Sequence, residues 1–312
     1  MPTCEKRPDF GPYFNTSFWR KAVEVGYQPD GDIDLSCLST HLQVQSDGFK
    51  ISRLVLNRFA KRTMRITTFS EYRPRNVLCF LGPLGGFQDL LRYAEAAIKE
   101  LAADFEIDME FSKDAPDVRM SKGFAVSWDQ VHEDAWQQHD VEAVISHGCV
   151  VYVVGPHMEA AEAPAVSLTA LRLVERLLAA GATAAKGESA GVAHGAARWR
   201  QLAQEAEGAE PGAATRACRL AFAKRPLTDG YYLSSVGFHL VGLPEVFVRS
   251  NSSVDELALS AMIDSVADEM AADGVEAVVA RYGAELKAIN EYEEDDFKYN
   301  PFGGVYFFTG VH

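Results

Sequence analysis

Short apolar runs alternate along the chain with stretches of helical period, and the runs predict the strands. Val77 to Leu81 (VLCFL) and Cys149 to Val154 (CVVYVV) are continuous apolar segments, which is typical of strands buried on both faces. Ile107 to Phe111 (IDMEF) alternates between apolar and acidic side chains, and Phe124 to Trp128 (FAVSW) is rich in aromatic and aliphatic residues. These segments predict a sheet in the middle of the chain.

A helix is predicted after the CVVYVV strand, where apolar residues recur with the period of one helix face. The positions are Leu168, Leu171, Val174, Leu177 and Leu178. Gly181 ends this helix. Ala182 to Lys186 is predicted to form a second, weaker strand, because three of its five residues are alanine. The order of strand, helix and strand favours a right-handed crossover onto a parallel neighbour.

Spacing and capping residues predict further helices over residues 87–105, 129–145, 254–274 and 275–290. In the second of these, Val144, Ile145 and Gly148 recur at helical spacing, so Gly148 is expected to be a left-handed cap. Leu257 is expected to point inward from the third. Residues 207–215 (EGAEPGAAT) are small and polar, which predicts a surface loop before a β-rich part.

The first 73 residues differ from the rest in composition and patterning and are predicted to be a β-rich extension. Ser46 to Gly48 lies between alternating runs and is typical of a hairpin turn. The segment around Tyr72 to Asn76 predicts the junction, so residues 74–312 are expected to form the main domain. The predicted fold class is α+β: a mixed β-sheet with helices packed on it, plus the β-rich extension.

Composition restricts the partners of the chain more than it restricts its chemistry. The 312 residues carry a formal net charge of −14, from 30 basic and 44 acidic side chains. A surface this acidic repels nucleic-acid phosphates and anionic lipids, so neither nucleic acid nor a membrane is the expected partner. The five cysteines are widely spaced and mostly lie in apolar segments, which indicates reduced thiols in a cytoplasmic protein.

One segment has the pattern of a catalytic motif. Gly187 to Gly191 (GESAG) matches the G-x-S-x-G elbow of α/β-hydrolases, in which a strand-to-helix turn exposes the serine oxygen. Ser189 would be the nucleophile of a serine hydrolase. The residues that could complete its triad are Asp229, Asp255 or Asp264 with His239 or His312. The preceding strand is weak and no HGGG-type oxyanion segment lies upstream, so a glycine-rich connecting loop is the favoured interpretation.

No metal or cofactor is predicted. His132, Trp136 and His139 share one face of a predicted helix, but the nearby carboxylates lie on other faces and HExxH is missing. The glycine loop at residues 82–86 (GPLGG) matches neither a Walker A loop nor G-x-G-x-x-G, so a plain connection between strand and helix is favoured over a phosphate site.

Three segments between about residues 77 and 300 resemble the bacterial family catalogued as domain of unknown function 4261. They are AVISHGCVVYVV, a leucine-rich helix leading to Ser189-Ala190-Gly191 and His194, and GFHLVGLPEVFV with its Gly-x-Pro-Glu turn. The resemblance implies a compact, soluble α+β domain with no catalytic residues to carry over. It also implies that the segment at Ser189 is a small-residue loop. In the Pro-Glu turn, Glu245 is expected to accept backbone N–H bonds and so to be structural.

The leading prediction is a non-catalytic binding or interaction protein. Its partner would be another protein, and a basic one would suit the acidic surface. The alternative is a serine hydrolase that uses Ser189. A third reading is a ligand-binding pocket lined by Trp136, His147 and His194 around the end of the sheet. The sequence gives no indication of the oligomeric state.

Overall fold

The computed structural model describes residues 73–129, 135–228, 231–249, 256–289 and 299–307. The predicted extension, residues 1–73, lies outside the described residues except for Arg73. In the described ranges the helices, numbered in chain order, are α1 (Phe87–Leu101), α2 (Arg119–Ala125), α3 (Gln138–Ile145), α4 (Ala163–Ala180), α5 (Ala196–Ala206), α6 (Pro211–Phe222), α7 (Glu256–Asp273) and α8 (Val275–Tyr282). A 3-10 helix covers Phe238–Val241.

The strands of the described chain fall into two groups. The first group is β1 (Val77–Gly82), β2 (Glu106–Lys113), β3 (Cys149–Val154), β4 (Ala184–Gly187) and β5 (Val192–His194). The second is β6 (Lys224–Thr228), β7 (Tyr232–Val236), β8 (Glu245–Arg249), β9 (Glu285–Lys287) and β10 (Gly304–Phe307). Each group forms one five-stranded sheet.

The first sheet is built around β1. Its strand order is β2-β3-β1-β4-β5, and all neighbouring strands are antiparallel. Phe80 of β1 pairs with Val151 of β3 on one side and with Ala185 of β4 on the other. β3 and β4 therefore run parallel to each other. The expected direct pairing between them is wrong, because β1 occupies the position in the middle.

Helices cover one face of this sheet through a large hydrophobic core. α1 and α4 pack against the side of the sheet that carries Leu78, Phe80 and Val151. Leu171 and Leu177 of α4 are completely buried there, as their helical spacing predicts. Burial of a leucine or phenylalanine side chain stabilises a fold by about 2 kcal/mol, so this face supplies much of the driving force for folding.

α2 and α3 pack on the opposite face. Phe124 of α2 and Val144 of α3 form a second apolar cluster with Cys79 and Leu81 of β1 and with Val150 of β3. The two strands predicted to be buried on both faces are therefore covered on both faces along most of their length.

The second sheet is mixed. Its strand order is β6-β7-β8-β10-β9, in which β8 and β10 are parallel and the other neighbours are antiparallel. α7 packs on β7 and β8, and its Leu259, Ile263 and Val266 belong to the same core as the helices on the first sheet. The predicted α+β class is confirmed, with two sheets in place of the single mixed sheet that we expected.

Two predicted segments have a different secondary structure. Residues 124–128 do not form a strand, because Phe124 lies in α2 and this segment contributes only a single bridge between Trp128 and Ala193. Met120 and Phe124 stand one helical turn apart and are both buried, so packing overrides strand propensity. Residues 207–215 are not all loop, because Pro211 begins α6 at a position that needs no N–H donor.

The C-terminal helices differ in detail from the predictions. α7 buries Val266, but Leu257 is exposed. α8 ends at Tyr282 because Gly283 takes a left-handed conformation with a φ of 61°. The chain then forms β9 and does not continue as a helix to residue 290 as expected.

A buried carboxylate holds the connection from β7 to β8. Glu245 accepts hydrogen bonds from the backbone N–H groups of Gly237 at 3.0 Å and Phe238 at 2.9 Å. Ser235 Oγ donates to it at 2.5 Å, and Asn300 Nδ2 donates at 2.9 Å. The prediction that this glutamate accepts backbone N–H bonds is confirmed by these contacts, and the carboxylate joins three segments of the second sheet.

Replacing Glu245 by alanine is expected to destabilise the domain by about 3 kcal/mol, because the buried donors would lose their shared acceptor. Urea unfolding followed by far-UV circular dichroism measures the change. Glu276→Ala, at an exposed position of α8, is the matched control and should alter stability by less than about 0.5 kcal/mol. Equal losses in both variants would contradict the role given to Glu245.

Candidate functional site

Ser189 lies in the turn that joins β4 to β5. Its Oγ accepts a hydrogen bond from the backbone N–H of Val77 at 2.8 Å and donates to the backbone carbonyl of Arg75 at 2.8 Å. Glu188 N–H also donates to the Val77 carbonyl at 2.8 Å. The serine turn therefore clamps the chain as it enters the central strand, and the hydroxyl bonds to backbone on both its donor and its acceptor side.

The local structure at Ser189 differs from a nucleophile elbow. An elbow places the serine directly between a strand and a helix, but here β4 and β5 form an antiparallel hairpin before α5 begins. Among the residues that could complete a triad, Asp264 bonds to Arg219, and His239 Nδ1 lies 3.8 Å from Glu245 Oε1. The remaining three, Asp229, Asp255 and His312, lie outside the described residues.

Trp136 stands before α3, not within the predicted longer helix. Its Nε1 donates to the carbonyl of Ala193 in β5 at 3.2 Å, and its ring stacks on Trp128 with 4.7 Å between the ring centres. Trp128 also forms the single parallel bridge to Ala193. The two tryptophans therefore cap the β5 edge of the first sheet on the face that α2 and α3 cover.

His194 follows Ala193 in β5, so its side chain points to the opposite face of the sheet. It is buried, its ring meets Trp199 edge-to-face at 4.8 Å, and its Nε2 donates to the Ala221 carbonyl at 3.1 Å. Its Nδ1 lies 3.4 Å from Asp129 Oδ2. The ring is packed among helices α5 and α6 and holds them to the sheet.

His147 lies before β3, which β1 and β4 separate from β5 in the first sheet. Its Nε2 accepts a hydrogen bond from the backbone N–H of Asp117 at 2.9 Å, so the ring proton resides on Nδ1 and is donated to the Val144 carbonyl at 2.7 Å. The three residues predicted to line one pocket therefore occupy separate places, and no contact joins their side chains. Of the three, His147 lies beside an exposed surface.

His147 connects the last turn of α3 to the segment before α2. One hydrogen bond satisfies the last turn of α3, and the other fixes the segment that leads into α2. The residue after Asp117 is Val118, and Ile145 is the last residue of α3. His147 thus fixes the backbone next to two exposed aliphatic residues, Val118 and Ile145.

Gly148 is required by a close approach of two backbones. A Cβ at this position would lie 2.2 Å from the Cα of Leu84 and 2.5 Å from its nitrogen. Gly148 does not have a positive φ, so the prediction that it is a left-handed helix cap is wrong. The contact, together with a hydrogen bond from Gly148 N–H to the Gly82 carbonyl at 2.8 Å, holds the loop between β1 and α1 in place.

Three aliphatic side chains meet the solvent around this turn. Leu84, Val118 and Ile145 are 85%, 90% and 66% exposed; Leu84 and Val118 lie in two different connections, and Ile145 is the last residue of α3. We define these three residues as the apolar end surface. Soluble proteins expose single aliphatic residues often, but several held on one rigid end of a sheet are typical of a protein-binding surface.

Charged residues brace the Val118 loop. Asp117 is buried, and its carboxylate accepts hydrogen bonds from the Arg119 guanidinium at 2.6 Å and from Lys113 Nζ at 3.3 Å. The backbone N–H of Arg119 donates to it at 3.0 Å. The Arg119 guanidinium above all holds the pKa of the Asp117 carboxyl well below its usual range.

The cysteine thiols among the described residues are buried and protonated. Burial raises the pKa of the Cys79 and Cys149 thiols and of the Tyr152 hydroxyl, and it raises the pKa of Cys218 to about 12. Because the thiolate is the reactive form of cysteine, these three thiols are unreactive at neutral pH. Lys186, also buried, is paired with Glu188 at 2.7 Å.

The sequence pattern does not predict the apolar end surface. Helical spacing assigns Ile145 to the buried stripe with Val144, and Leu84 is hidden within a glycine-rich loop that reads as a plain connection. A signal does exist: Leu84 and Val118 are large aliphatic residues within loops rich in glycine, proline and aspartate. Such loops lie at the surface, so an aliphatic residue there has no core to enter.

Comparison with known proteins identifies no relative: no protein-family model matches, and no curated protein or solved structure gives a significant match. The resemblance to the domain of unknown function 4261 family therefore stays a prediction. Within the described ranges, no helix has both the length and the apolar character needed to cross a bilayer. The same ranges hold no cluster of three or more His, Cys, Asp or Glu side chains suited to a metal ion.

Replacing Ser189 by alanine is expected to destabilise the domain by about 1–2 kcal/mol, because the Val77 N–H and the Arg75 carbonyl lose their partner. Urea unfolding measures this loss. Ser146→Ala is the control, since Ser146 donates to a backbone carbonyl at an exposed helix end. Labelling of the native protein by a fluorophosphonate probe that disappears in Ser189→Ala would contradict the purely structural role of Ser189.

Replacing Asp117 by asparagine is expected to lower stability at neutral pH and to have progressively less effect in acid. The pKa of this carboxyl is lower in the folded than in the unfolded chain, so its ionised form stabilises the fold above about pH 4, and that stabilisation is lost as the pH falls further. Urea midpoints of both proteins between about pH 7 and pH 3 test this. A difference that stays constant or grows in acid would contradict the assignment.

Proposed function

We propose that the described domain is a non-catalytic protein-binding domain of the cytoplasm and that its partner docks on the apolar end surface. The observation that carries this proposal is the exposure of Leu84, Val118 and Ile145, which come from two connections and a helix end at one end of the first sheet. Docking would remove these side chains from water. Each fully buried aliphatic side chain contributes about 1.5–3 kcal/mol, so three can anchor an interface.

The rigidity of the surface supports binding. Gly148 fits against the Leu84 backbone, and His147 joins the end of α3 to the segment before Val118 by two hydrogen bonds. The guanidinium of Arg119 fixes the same segment through Asp117. Loops held in this way lose little conformational entropy when a partner binds, so more of the contact energy appears as affinity.

The state of the polar side chains favours a binding role over catalysis. Ser189 is bonded to backbone on both sides, and His194 is packed against Trp199 with its Nε2 bonded to a backbone carbonyl. The buried thiols have raised pKa values. A nucleophile needs a base within hydrogen-bonding reach. Of the groups that the sequence suggested for such a pair, Ser189 and Asp264 are used instead to hold the fold.

The chemistry of the partner follows from the surface and the charge of the chain. A net charge of −14 opposes nucleic acids and anionic membranes, which leaves proteins as the expected partners. Membership of the domain of unknown function 4261 family is part of the same proposal, since that resemblance implies a soluble α+β domain with no catalytic residues.

Replacing Leu84, Val118 and Ile145 together by serine is expected to weaken partner binding by at least about a hundredfold, because three exposed anchors contribute roughly 1 kcal/mol or more each. The full chain is immobilised, partners are captured from cytosol and identified, and their affinity for each variant is then measured. The control replaces two exposed leucines elsewhere, Leu257 and Leu286, by serine. A partner that binds the native and triple-serine proteins equally would contradict the proposed function.

A further inference from the structure

β2 forms one edge of the first sheet and carries a bulge. Its pairing with β3 shifts between Asp108 and Lys113. The Asp108 carboxylate closes the bulge by accepting the backbone N–H groups of Glu110 at 3.0 Å and Phe111 at 3.3 Å. Ser112 Oγ donates to the Asp108 carbonyl at 2.6 Å and accepts the Tyr152 N–H at 3.0 Å. The bulge is thus fixed by its own side chains and by β3.

This bulge turns two large apolar side chains toward solvent. Met109 is 58% exposed and Phe111 is 56% exposed. The Phe111 ring rests edge-to-face on Tyr152, with 6.3 Å between ring centres, so it is supported from the sheet side. Bulges often re-aim side chains in this manner, and we call Met109 and Phe111 the anchors.

Acidic residues flank the anchors along the chain, within five residues of Met109 or Phe111. Asp104, Glu106, Glu110 and Asp114 are exposed, and in the described part of the chain none of them forms an ion pair. The nearby Lys113 and Arg119 are both bound to Asp117. Any occupant of this surface therefore meets apolar side chains within an acidic rim, which basic residues would complement.

Two other occupants fit the bulge less well. Addition of a partner strand needs free backbone N–H groups along the edge, but Asp108 already occupies those of Glu110 and Phe111. Pairing of two copies through β2 would bring Glu106 and Glu110 of one chain against the same acidic edge of the other. Like charges placed opposite each other destabilise such pairing.

We propose that the β2 bulge binds a basic segment of a protein partner that contributes one or two apolar side chains between lysines or arginines. This inference rests on the proposed function and specifies its partner. Residues 113–118 connect the bulge to Val118, a span of at most about 17–20 Å when extended. Both surfaces therefore lie within reach of a single protein partner.

The probe is a fluorescein-labelled, twelve-residue peptide with two leucines flanked by lysines, and its matched control has glutamate in place of each lysine. Binding to the full chain is measured by fluorescence anisotropy at about 50 mM and about 300 mM salt, because screening weakens rim charges most. Hydrogen exchange of residues 106–113 locates the bound peptide.

We expect the lysine peptide to bind and the glutamate peptide not to bind. Glu106→Lys with Glu110→Lys should weaken binding at least about tenfold, and Met109→Ser with Phe111→Ser should weaken it similarly. The control for charge is Glu205→Lys with Glu276→Lys. It reverses the charge of two exposed glutamates on helices α5 and α8, away from β2, and should leave binding unchanged. Thermal unfolding of each variant checks its fold. If Met109→Ser with Phe111→Ser does not fold, Glu106→Lys with Glu110→Lys is used alone.

Specific outcomes would overturn the inference. An equal loss in the Glu205→Lys and Glu276→Lys control would show non-specific attraction to an acidic protein. A dimer of the native chain that Met109→Ser with Phe111→Ser dissociates would assign the bulge to self-association, and binding to phosphatidylcholine vesicles that these substitutions abolish would assign it to lipid.

A captured partner that requires Leu84, Val118 and Ile145 but tolerates every bulge variant would refute this inference and leave the proposed function intact. Peptide binding at the bulge with no dependence of any partner on those three residues would refute the proposed function instead.

Discussion

The pairing of β1 with a strand on each side is the constraint on which the described domain depends. β1 pairs antiparallel with β3 and with β4, and it is covered by apolar side chains on both faces. The chain enters β1 under the hydroxyl of Ser189 and leaves it through the loop that carries Leu84. A residue prominent in the sequence as a candidate nucleophile and a residue that the sequence analysis passed over therefore stand at the two ends of one strand.

Sequence patterns located most of the regular elements correctly where burial was uniform. VLCFL and CVVYVV are strands, and the stripe of leucines from residue 168 to 178 is a buried helix face. The predictions failed where the partner of a segment decides its structure. Phe124 lies in a helix because Met120 is buried one turn earlier, and β3 and β4 are separated because β1 fills the place between them.

The apolar end surface could not be predicted in the same way, because exposure depends on how distant segments meet. Ile145 fits a buried stripe by spacing, yet it faces solvent at the end of α3. His147 is a candidate ligand-binding residue by its chemistry and lies next to this surface, but both of its ring nitrogens form hydrogen bonds with backbone groups. Trp136 and His194 flank the same strand from opposite faces, a separation that follows from the two-residue period of a strand once that strand is known.

The fit of Gly148 against the backbone of Leu84 separates what must persist from what is free to change. The scaffold needs a glycine at 148, since any side chain would displace the neighbouring loop. It places no comparable demand on the side chain at 84, which points away into water. Substitutions at position 84 therefore change the exposed surface and leave the backbone of the sheet beneath unaltered, so this surface is free to vary while the fold is kept.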